Sequence, residues 1–193
     1  QAAKLRYMTG GQITAPLVIR APGGAGRRNA GQHSQSLEAF FTHVPGLKVI
    51  APSTPYDIKG LLKTAIRDDD PVICLEHKLL YATKGPVPEN EYLIPLGQAD
   101  IKRPGKDVTL IAYSRQTLFA LAAAELLAQA GIDVEVIDLR SLVPLDFETI
   151  AASIQKTHRA IIVQEGPQRG GFAAEIGQQI QEKLFDYLDA PVT

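Results

Sequence analysis

The second half of the chain alternates between short apolar runs and longer stretches with helical periodicity. The apolar runs have the length and β-branched content of buried strands and span 107–114, 133–142 and 159–166. The helical stretches that follow them span 117–131, 146–158 and 172–188. Such alternation predicts an α/β fold with a parallel sheet, right-handed connections and helices on both faces. The helix over 117–131 is apolar nearly all round, so we expect it to be buried.

The first half repeats this rhythm with shorter elements. Its predicted strands span 17–20, 47–53 and 71–77, and a helix is predicted over 36–44. A clearer helix start follows the second strand, where Thr54 can cap, Pro55 takes the first helical position and Asp57 completes a capping-box spacing. One apolar stripe of that helix contains Ile58, Leu61, Leu62, Ala65 and Ile66.

Residues 82–106 differ from both halves, since they hold four prolines, three glycines and little periodicity. We interpret them as a linker with short extended pieces, with a domain boundary near residue 100. The predicted domains are therefore 1–100 and 107–193.

The charge composition of the chain limits the classes of partner that we expect. The 20 Lys and Arg residues nearly balance the 21 Asp and Glu residues, giving a net charge of −1, so neither nucleic acid nor a membrane surface is an expected partner. No apolar run approaches the roughly 20 residues needed to span a bilayer. Cys74 is the only cysteine, which excludes an internal disulfide and favours a reducing compartment.

Polar residues follow the predicted strands of the second half, and functional groups of open parallel sheets gather at the carboxyl ends of strands. Polar residues are also ordinary at strand ends, so a chemical role and a merely solvated turn both stay open. The residues concerned are Ser114, Arg115, Asp138, Arg140, Glu165 and Gly166.

His33 lies where a glycine-rich loop leads into the predicted helix over 36–44. The positive end of a helix disfavours imidazolium, and a neutral imidazole can donate from one nitrogen and accept at the other. Proton transfer or oxyanion binding is one interpretation; capping of the helix or bonding to the loop is the other. No spacing to His43, His77 or His158 suggests a metal site.

Asp68, Asp69 and Asp70 lie at the carboxyl end of a predicted helix, where the macrodipole disfavours negative charge. A solvated turn ahead of Pro71 is the favoured interpretation from spacing alone. A hard cation held by helix-end carbonyls and carboxylates is the alternative.

Four long motifs resemble one family throughout their order and spacing. They cover residues 8–24, 31–41, 45–81 and 136–150, and include MTGGQITAPLVIRAPGG, GQHSQSLEAFF and VIDLRSLVPLDFETI. The chain resembles β subunits of the thiamin-diphosphate-dependent decarboxylating component of 2-oxo acid dehydrogenase complexes, and among these the subunits that act on pyruvate are most similar. Acetoin or a branched-chain 2-oxo acid is the alternative substrate, and a non-catalytic nucleotide-binding or assembly module is the alternative of another class.

The resemblance implies a partial pyrimidine-binding domain followed by a transketolase C-terminal-like α/β domain. It also implies an α2β2 assembly with an α subunit and a second β subunit, in which thiamin diphosphate and Mg²⁺ are bound mainly by the α subunit. The acyl group then passes to a lipoyl-bearing dihydrolipoyl acyltransferase. Bacterial cytoplasm is the expected compartment, ahead of a mitochondrial matrix or plastid stroma.

The resemblance also assigns residues. His33 matches the family's active-site histidine, and a structural K⁺ site matches the backbone carbonyls of Leu17, Ala65, Ile66, Asp68 and Asp70. The family's activating glutamate and the aromatic residue that packs on the aminopyrimidine ring match no position here and are expected upstream of residue 1, so no residue of this chain is assigned to cofactor binding. We therefore expect an internal piece of a β subunit that does not decarboxylate a substrate by itself.

Overall fold

A computed structural model describes residues 1–193 and contains two four-stranded sheets with six α-helices. The strands are β1 Val18–Gly23, β2 Lys48–Ile50, β3 Val72–His77, β4 Asp100–Arg103, β5 Val108–Ala112, β6 Val134–Asp138, β7 Ser141–Val143 and β8 Ala160–Val163. The helices are α1 Ala2–Met8, α2 Glu38–Thr42, α3 Pro55–Ile66, α4 Gln116–Gln129, α5 Phe147–Thr157 and α6 Phe172–Leu184. Single 3₁₀ turns occupy Gly31–His33, Lys78–Ala82 and Phe185–Tyr187.

The predicted α/β class is confirmed, but neither sheet is purely parallel. The first sheet has the order β1-β3-β2-β7, with β7 antiparallel to β2, and the second has the order β4-β6-β5-β8, with β4 antiparallel to β6. A parallel crossover needs a dozen or more residues, and β7 begins only three positions after β6 ends. The two residues between them, Leu139 and Arg140, are too few for a crossover within one sheet, and β7 joins the other sheet.

Because β7 follows β6 of the second half yet pairs with β2 of the first, the two halves share one sheet. Val49 is in register with Val143, and Ile50 with Ser141. The main hydrophobic core also crosses between the halves, since Val49 and Ile73 belong to the same buried cluster as Ile111 and Ile137. The proposed limits 1–100 and 107–193 stay a prediction.

Helix α3 begins as its sequence predicts. The Thr54 hydroxyl accepts a hydrogen bond from the Asp57 amide at 3.1 Å, and Pro55 is the first helical residue. Leu61 and Ala65 are buried, whereas Ile66 is exposed. Successive helical residues point about 100° apart, so Ile66 lies at the edge of the predicted apolar stripe and remains in contact with solvent.

The prediction that α4 is buried all round was wrong. Only Thr117, Ala120 and Ala124 are buried, while Phe119 is 49% and Leu126 67% exposed. One face of α4 packs on β5 and β6, and the opposite apolar face has no covering element within this chain. None of the helices is long and apolar enough to cross a membrane.

Candidate functional site

A cleft opens where the carboxyl ends of β1 and β3 face those of β5 and β8. Its free volume is about 810 Å³, including the open mouth. Both halves of the chain line it, and the side chains that can carry chemistry are His33, Glu38, His77, Tyr113, Gln116 and Glu165. Of the strand-end candidates, Ser114, Arg115 and Glu165 line this cleft.

Glu165, just beyond β8, receives four hydrogen bonds. Its Oε1 accepts from the Ala25 amide at 2.6 Å and from the Ser36 hydroxyl at 3.2 Å. Its Oε2 accepts from His77 Nε2 at 3.0 Å and from Gln116 Nε2 at 3.3 Å. Burial acts to raise the pKa of Glu165, but the Ala25 and His77 bonds outweigh it and hold that pKa below its usual value.

The His77 ring is fixed on both sides. Its Nδ1 accepts from the Leu79 amide at 3.2 Å, which leaves the proton on Nε2 to be donated to Glu165. The side chain is almost fully buried, with 7% of the residue exposed. Gly24 packs directly against this ring, with a φ of +86° and a position where a Cβ atom would lie 2.2 Å from His77 Cδ2. Only glycine allows this approach.

His33 lies in the same cleft and is exposed to solvent. It ends the 3₁₀ turn Gly31–His33, and its carbonyl accepts from Lys78 Nζ. The prediction that His33 lies at the amino end of a helix was wrong, because α2 begins only at Glu38. The Ser36 hydroxyl binds Glu165 rather than capping a helix, so the helix starts two residues later than expected.

Two further groups in the cleft, Glu38 and Tyr113, have raised pKa values. Burial raises the pKa of Glu38, and the charge of Glu165 acts in the same direction. Tyr113 is buried, yet its hydroxyl has no hydrogen-bond partner. Burial followed by the charges of Glu38 and Glu165 raises the pKa of Tyr113. The cleft thus combines an exposed imidazole, carboxylates of different basicity and a spare hydroxyl, which are the groups that proton transfer requires.

Gly166 packs beside Ser36 and Glu38 without lining the cleft. The other two strand-end candidates, Asp138 and Arg140, lie in a separate cluster between the halves. Arg140 donates to Asp57 at 2.7 Å and to Asp100 at 2.8 Å. Lys102 Nζ lies 2.9 Å from Asp57 and 2.8 Å from Asp100. Burial, with the charge of Asp57, raises the pKa of Asp138 to about 6. We name these five residues the interdomain network.

Of the five residues assigned to a cation, Ala65, Ile66, Asp68 and Asp70 lie at or just beyond the end of α3, and Leu17 precedes β1 with its carbonyl accepting from the Val72 amide at 2.8 Å. The Asp69 carbonyl accepts from the Ala15 amide at 2.9 Å, which brings the chain next to Leu17 beside this helix end. The Asp68 carboxylate binds Lys48 at 2.7 and 2.8 Å, and Asp70 lies 3.1 Å from Arg6. Their charges are thereby neutralised, and no group of three or more His, Cys, Asp or Glu side chains is placed to hold a metal. Any cation here would bind backbone carbonyls.

Sequence reasoning missed five members of the cleft: Ser36, Glu38, His77, Tyr113 and Gln116. A signal for His77 was present, since it ends β3 at the carboxyl edge of its sheet. Ser36 and Gln116 carried no comparable signal, because only the meeting of the two halves brings their side chains to Glu165.

The fold and cleft define a two-domain α/β protein whose functional groups come from both halves. The family description "Transketolase, pyrimidine binding domain" matches residues 1–84, and "Transketolase, C-terminal domain" matches residues 97–193. The chain therefore belongs to the transketolase family, and the resemblance seen in the sequence is confirmed.

Curated relatives refine this placement. The pyruvate dehydrogenase E1 component subunit beta of Porphyra purpurea is 54% identical over 191 residues, covering 99% of this chain and 58% of the relative. The acetoin:2,6-dichlorophenolindophenol oxidoreductase subunit beta of Cupriavidus necator is 52% identical over 192 residues, covering 100% and 57%. The chain thus spans less than two thirds of the length of these relatives. A solved "Split gene transketolase, inactive beta4 tetramer" shares the fold, with a TM-score of 0.76 and 23% identity, covering 100% of this chain and 63% of the other.

Proposed function

We propose that this chain forms part of the β subunit of a thiamin-diphosphate-dependent pyruvate dehydrogenase component that decarboxylates pyruvate and acylates lipoyl groups. The observation that carries the proposal is the exposed His33 imidazole in an open cleft built from both halves. The 54% identity to a pyruvate dehydrogenase β subunit supports it.

The cleft holds two carboxylates, Glu38 and Glu165, and no group of three or more His, Cys, Asp or Glu side chains placed to hold a metal ion. We therefore assign the diphosphate and its Mg²⁺ to the α subunit, as the resemblance implies. When bound, thiamin diphosphate supplies the nucleophilic carbon and the electron sink for decarboxylation. His33 would donate a proton to the lipoyl sulfur that is released when the S–S bond breaks and the other lipoyl sulfur takes the acyl group, or would stabilise an oxyanion in that transfer.

The test is His33→Ala in the complete subunit, assembled with its α subunit. General acid–base catalysis contributes about 10²- to 10⁴-fold, so the rate of lipoamide acylation should fall by an amount in that range. His43→Ala is the matched control, since His43 lies outside this cleft. An unchanged acylation rate in the His33 variant would favour the non-catalytic alternative of an assembly or nucleotide-binding module.

Exposed apolar residues support the proposed partners. Phe119 and Leu126 lie seven residues apart on α4 and are 49% and 67% exposed, and Tyr7 and Met8 on α1 are exposed as well. We propose that the α subunit and a second β subunit form an α2β2 heterotetramer with this chain, which delivers acyl groups to a lipoyl-bearing dihydrolipoyl acyltransferase. The native mass of the co-expressed subunits tests this.

We place the assembly in a reducing compartment, the bacterial cytoplasm, because the single Cys74 is a buried free thiol.

Acetoin is the second candidate substrate, because an acetoin-oxidoreductase β subunit is 52% identical to this chain. Rates of the complete enzyme with pyruvate, acetoin and 2-oxoisovalerate, at equal concentrations, discriminate the alternatives. Pyruvate should give the highest kcat/KM. A higher value with either of the others would replace the proposed substrate while leaving the proposed role of His33 open to its own test.

We also propose that K⁺ binds the backbone carbonyls of Leu17, Ala65, Ile66, Asp68 and Asp70. The occupation of both carboxylates by Lys48 and Arg6 supports a site made of carbonyls. Binding to the folded state alone raises stability, so the Tm of the complete subunit should be higher in KCl than in LiCl at equal ionic strength. Equal Tm values in the two salts would argue against the site.

A further inference from the structure

We propose that Glu165 is a positioning residue that closes the loop carrying His33 from the opposite domain and so fixes where His33 is presented in the cleft. This rests on the proposed function of His33 and adds a residue that acts through it. We call residues 25–36 the His33 loop.

The two ends of the His33 loop meet at a single oxygen atom. Glu165 Oε1 accepts from the Ala25 amide at 2.6 Å and from the Ser36 hydroxyl at 3.2 Å. One backbone bond adjoins this junction, from the Gly24 amide to the Gln35 carbonyl at 3.0 Å. Because these contacts lie at the base of the loop, they set the path of the segment between them, which contains His33.

Within the loop, few contacts compete with this closure. Lys78 Nζ donates to the His33 carbonyl, and Arg27 donates to the Lys78 carbonyl at 3.3 Å. Arg28 and Ala30 adopt left-handed φ values of 58° and 63°, which are unfavourable for residues with a side chain. Such a backbone conformation persists only where surrounding contacts hold it in place. At the base of the loop, these contacts are the hydrogen bonds to the Glu165 carboxylate.

The other oxygen of Glu165 connects the loop to the rest of the cleft. Oε2 accepts from His77 at 3.0 Å and from Gln116 at 3.3 Å. The carboxylate therefore receives one backbone donor and two side-chain donors from the first half of the chain, and one donor from the second half. Hydrogen bonds to a charged acceptor are stronger than neutral ones, so an anionic carboxylate suits this junction.

The experiment compares Glu165→Ala with Glu182→Ala in the complete subunit assembled with its α subunit. Glu182 is exposed on the neighbouring helix α6 and has no hydrogen bond, so it controls for the loss of a carboxylate. Two partial reactions are measured: acylation of a lipoyl domain, and decarboxylation coupled to 2,6-dichlorophenolindophenol, which bypasses lipoyl. Hydrogen exchange of residues 25–36 reports the loop independently of activity.

For Glu165→Ala we expect about 10- to 100-fold slower lipoyl acylation, the scale expected when a catalytic group is misplaced by about 1 Å. Lipoyl acylation should fall by more than dye-coupled decarboxylation, so the ratio of the two rates should fall. Amide exchange in the loop should be at least about 10-fold faster, since bonds to a charged group are lost. The Glu182 variant should match the unmodified enzyme in all three.

The double variant His33→Ala with Glu165→Ala shows whether Glu165 acts through His33. If it does, the double variant acylates no more slowly than His33→Ala alone, within about 2-fold, because coupled residues are not additive. Multiplicative losses, an unchanged loop exchange rate or an unchanged ratio of the two partial reactions would each overturn the proposal. If His33→Ala alone has no effect, the proposed function fails instead, whereas the exchange measurement still reports whether Glu165 closes the loop.

Should Glu165→Ala not fold, Ser36→Ala gives the same measurements, since it removes one donor and keeps the carboxylate. Its effects should be smaller and in the same direction, and no change in loop exchange would overturn the proposal.

Discussion

Two polar clusters join the halves of this chain, and they differ in how fully their groups are satisfied. In the interdomain network, Arg140 and Lys102 each bind both Asp57 and Asp100, and Asp57, Asp138 and Arg140 are buried while Asp100 is partly exposed. In the cleft, His33 is exposed and the Tyr113 hydroxyl has no partner. Acidic and basic side chains are present in both clusters. A closed set of bonds indicates assembly, whereas spare donors beside an opening indicate chemistry.

The largest expected effect comes from breaking the closed cluster. Arg140→Met leaves Asp57 and Asp100 with less positive charge beside them, and removing one partner of a buried ion pair lowers the free energy of unfolding by about 3–5 kcal/mol. Chemical denaturation of the complete subunit measures this.

Arg159→Met is the matched control for Arg140→Met. The Arg159 side chain pairs with Asp189 at 3.3 Å, and both are more than half exposed, so the loss should be about 0–1 kcal/mol. Equal losses in the two variants would remove the distinction between the interdomain network and an ordinary surface pair.

A second prediction concerns the pH dependence of Asp138, which is faced by Asp57, Lys102, the Ser53 hydroxyl and the Arg140 amide. Its pKa of about 6 in the folded state lies above the ordinary 3.8, so between these values the folded state binds more protons than the unfolded state. The contribution of Asp138 to stability therefore falls as pH rises through that window, on the order of 3 kcal/mol in total.

Asp138→Asn isolates this contribution, because asparagine does not titrate and can still accept from the Arg140 amide. The free energy of unfolding of the unmodified subunit, minus that of the variant, should be smaller at about pH 7.5 than at about pH 4.5. A difference that is independent of pH, or larger at the higher pH, would contradict the raised pKa.

The smallest effect should come from the open cluster. Tyr113→Phe removes a buried hydroxyl that has no partner, so the free energy of unfolding should stay unchanged or rise by up to about 1 kcal/mol. Tyr81→Phe is the comparison, since its hydroxyl donates to Glu76 at 2.7 Å and its loss should lower stability by about 1 kcal/mol. A loss for Tyr113→Phe as large as that for Tyr81→Phe would show that the Tyr113 hydroxyl is satisfied after all.

The sequence predicted correctly those helices and strands whose start or position depends on residues close together in the chain. The start of α3 follows from Thr54, Pro55 and Asp57, which lie within one helical turn, and the Asp57 amide donates to the Thr54 hydroxyl. The strand–helix alternation likewise follows from periodicity, because each element must bury one face. The α/β class and the order of the elements were accessible in this way.

Features that depend on the meeting of distant segments could not be predicted from the sequence. The run 133–142 reads as one strand, yet a left-handed φ of 58° at Arg140 divides it into β6 and β7, which pair in different sheets. In the cleft, Glu165 lies 140 positions from Ala25 and 129 from Ser36. Glu165 could be nominated as a strand end, but its four partners required the fold.

Because β7 comes from the second half of the chain and pairs with β2 of the first half, separating the two halves would expose an edge of the first sheet. If the chain were divided between residues 84 and 97, β2 would keep β3 but lose β7. The backbone amides and carbonyls of Val49 and Ile50 that face β7 would then be free to pair with strands of other molecules. We expect the amino-terminal half, when produced by itself, to self-associate through this exposed edge of β2. Adding the carboxyl-terminal half as a separate chain should suppress that aggregation, because β7 would cover the edge.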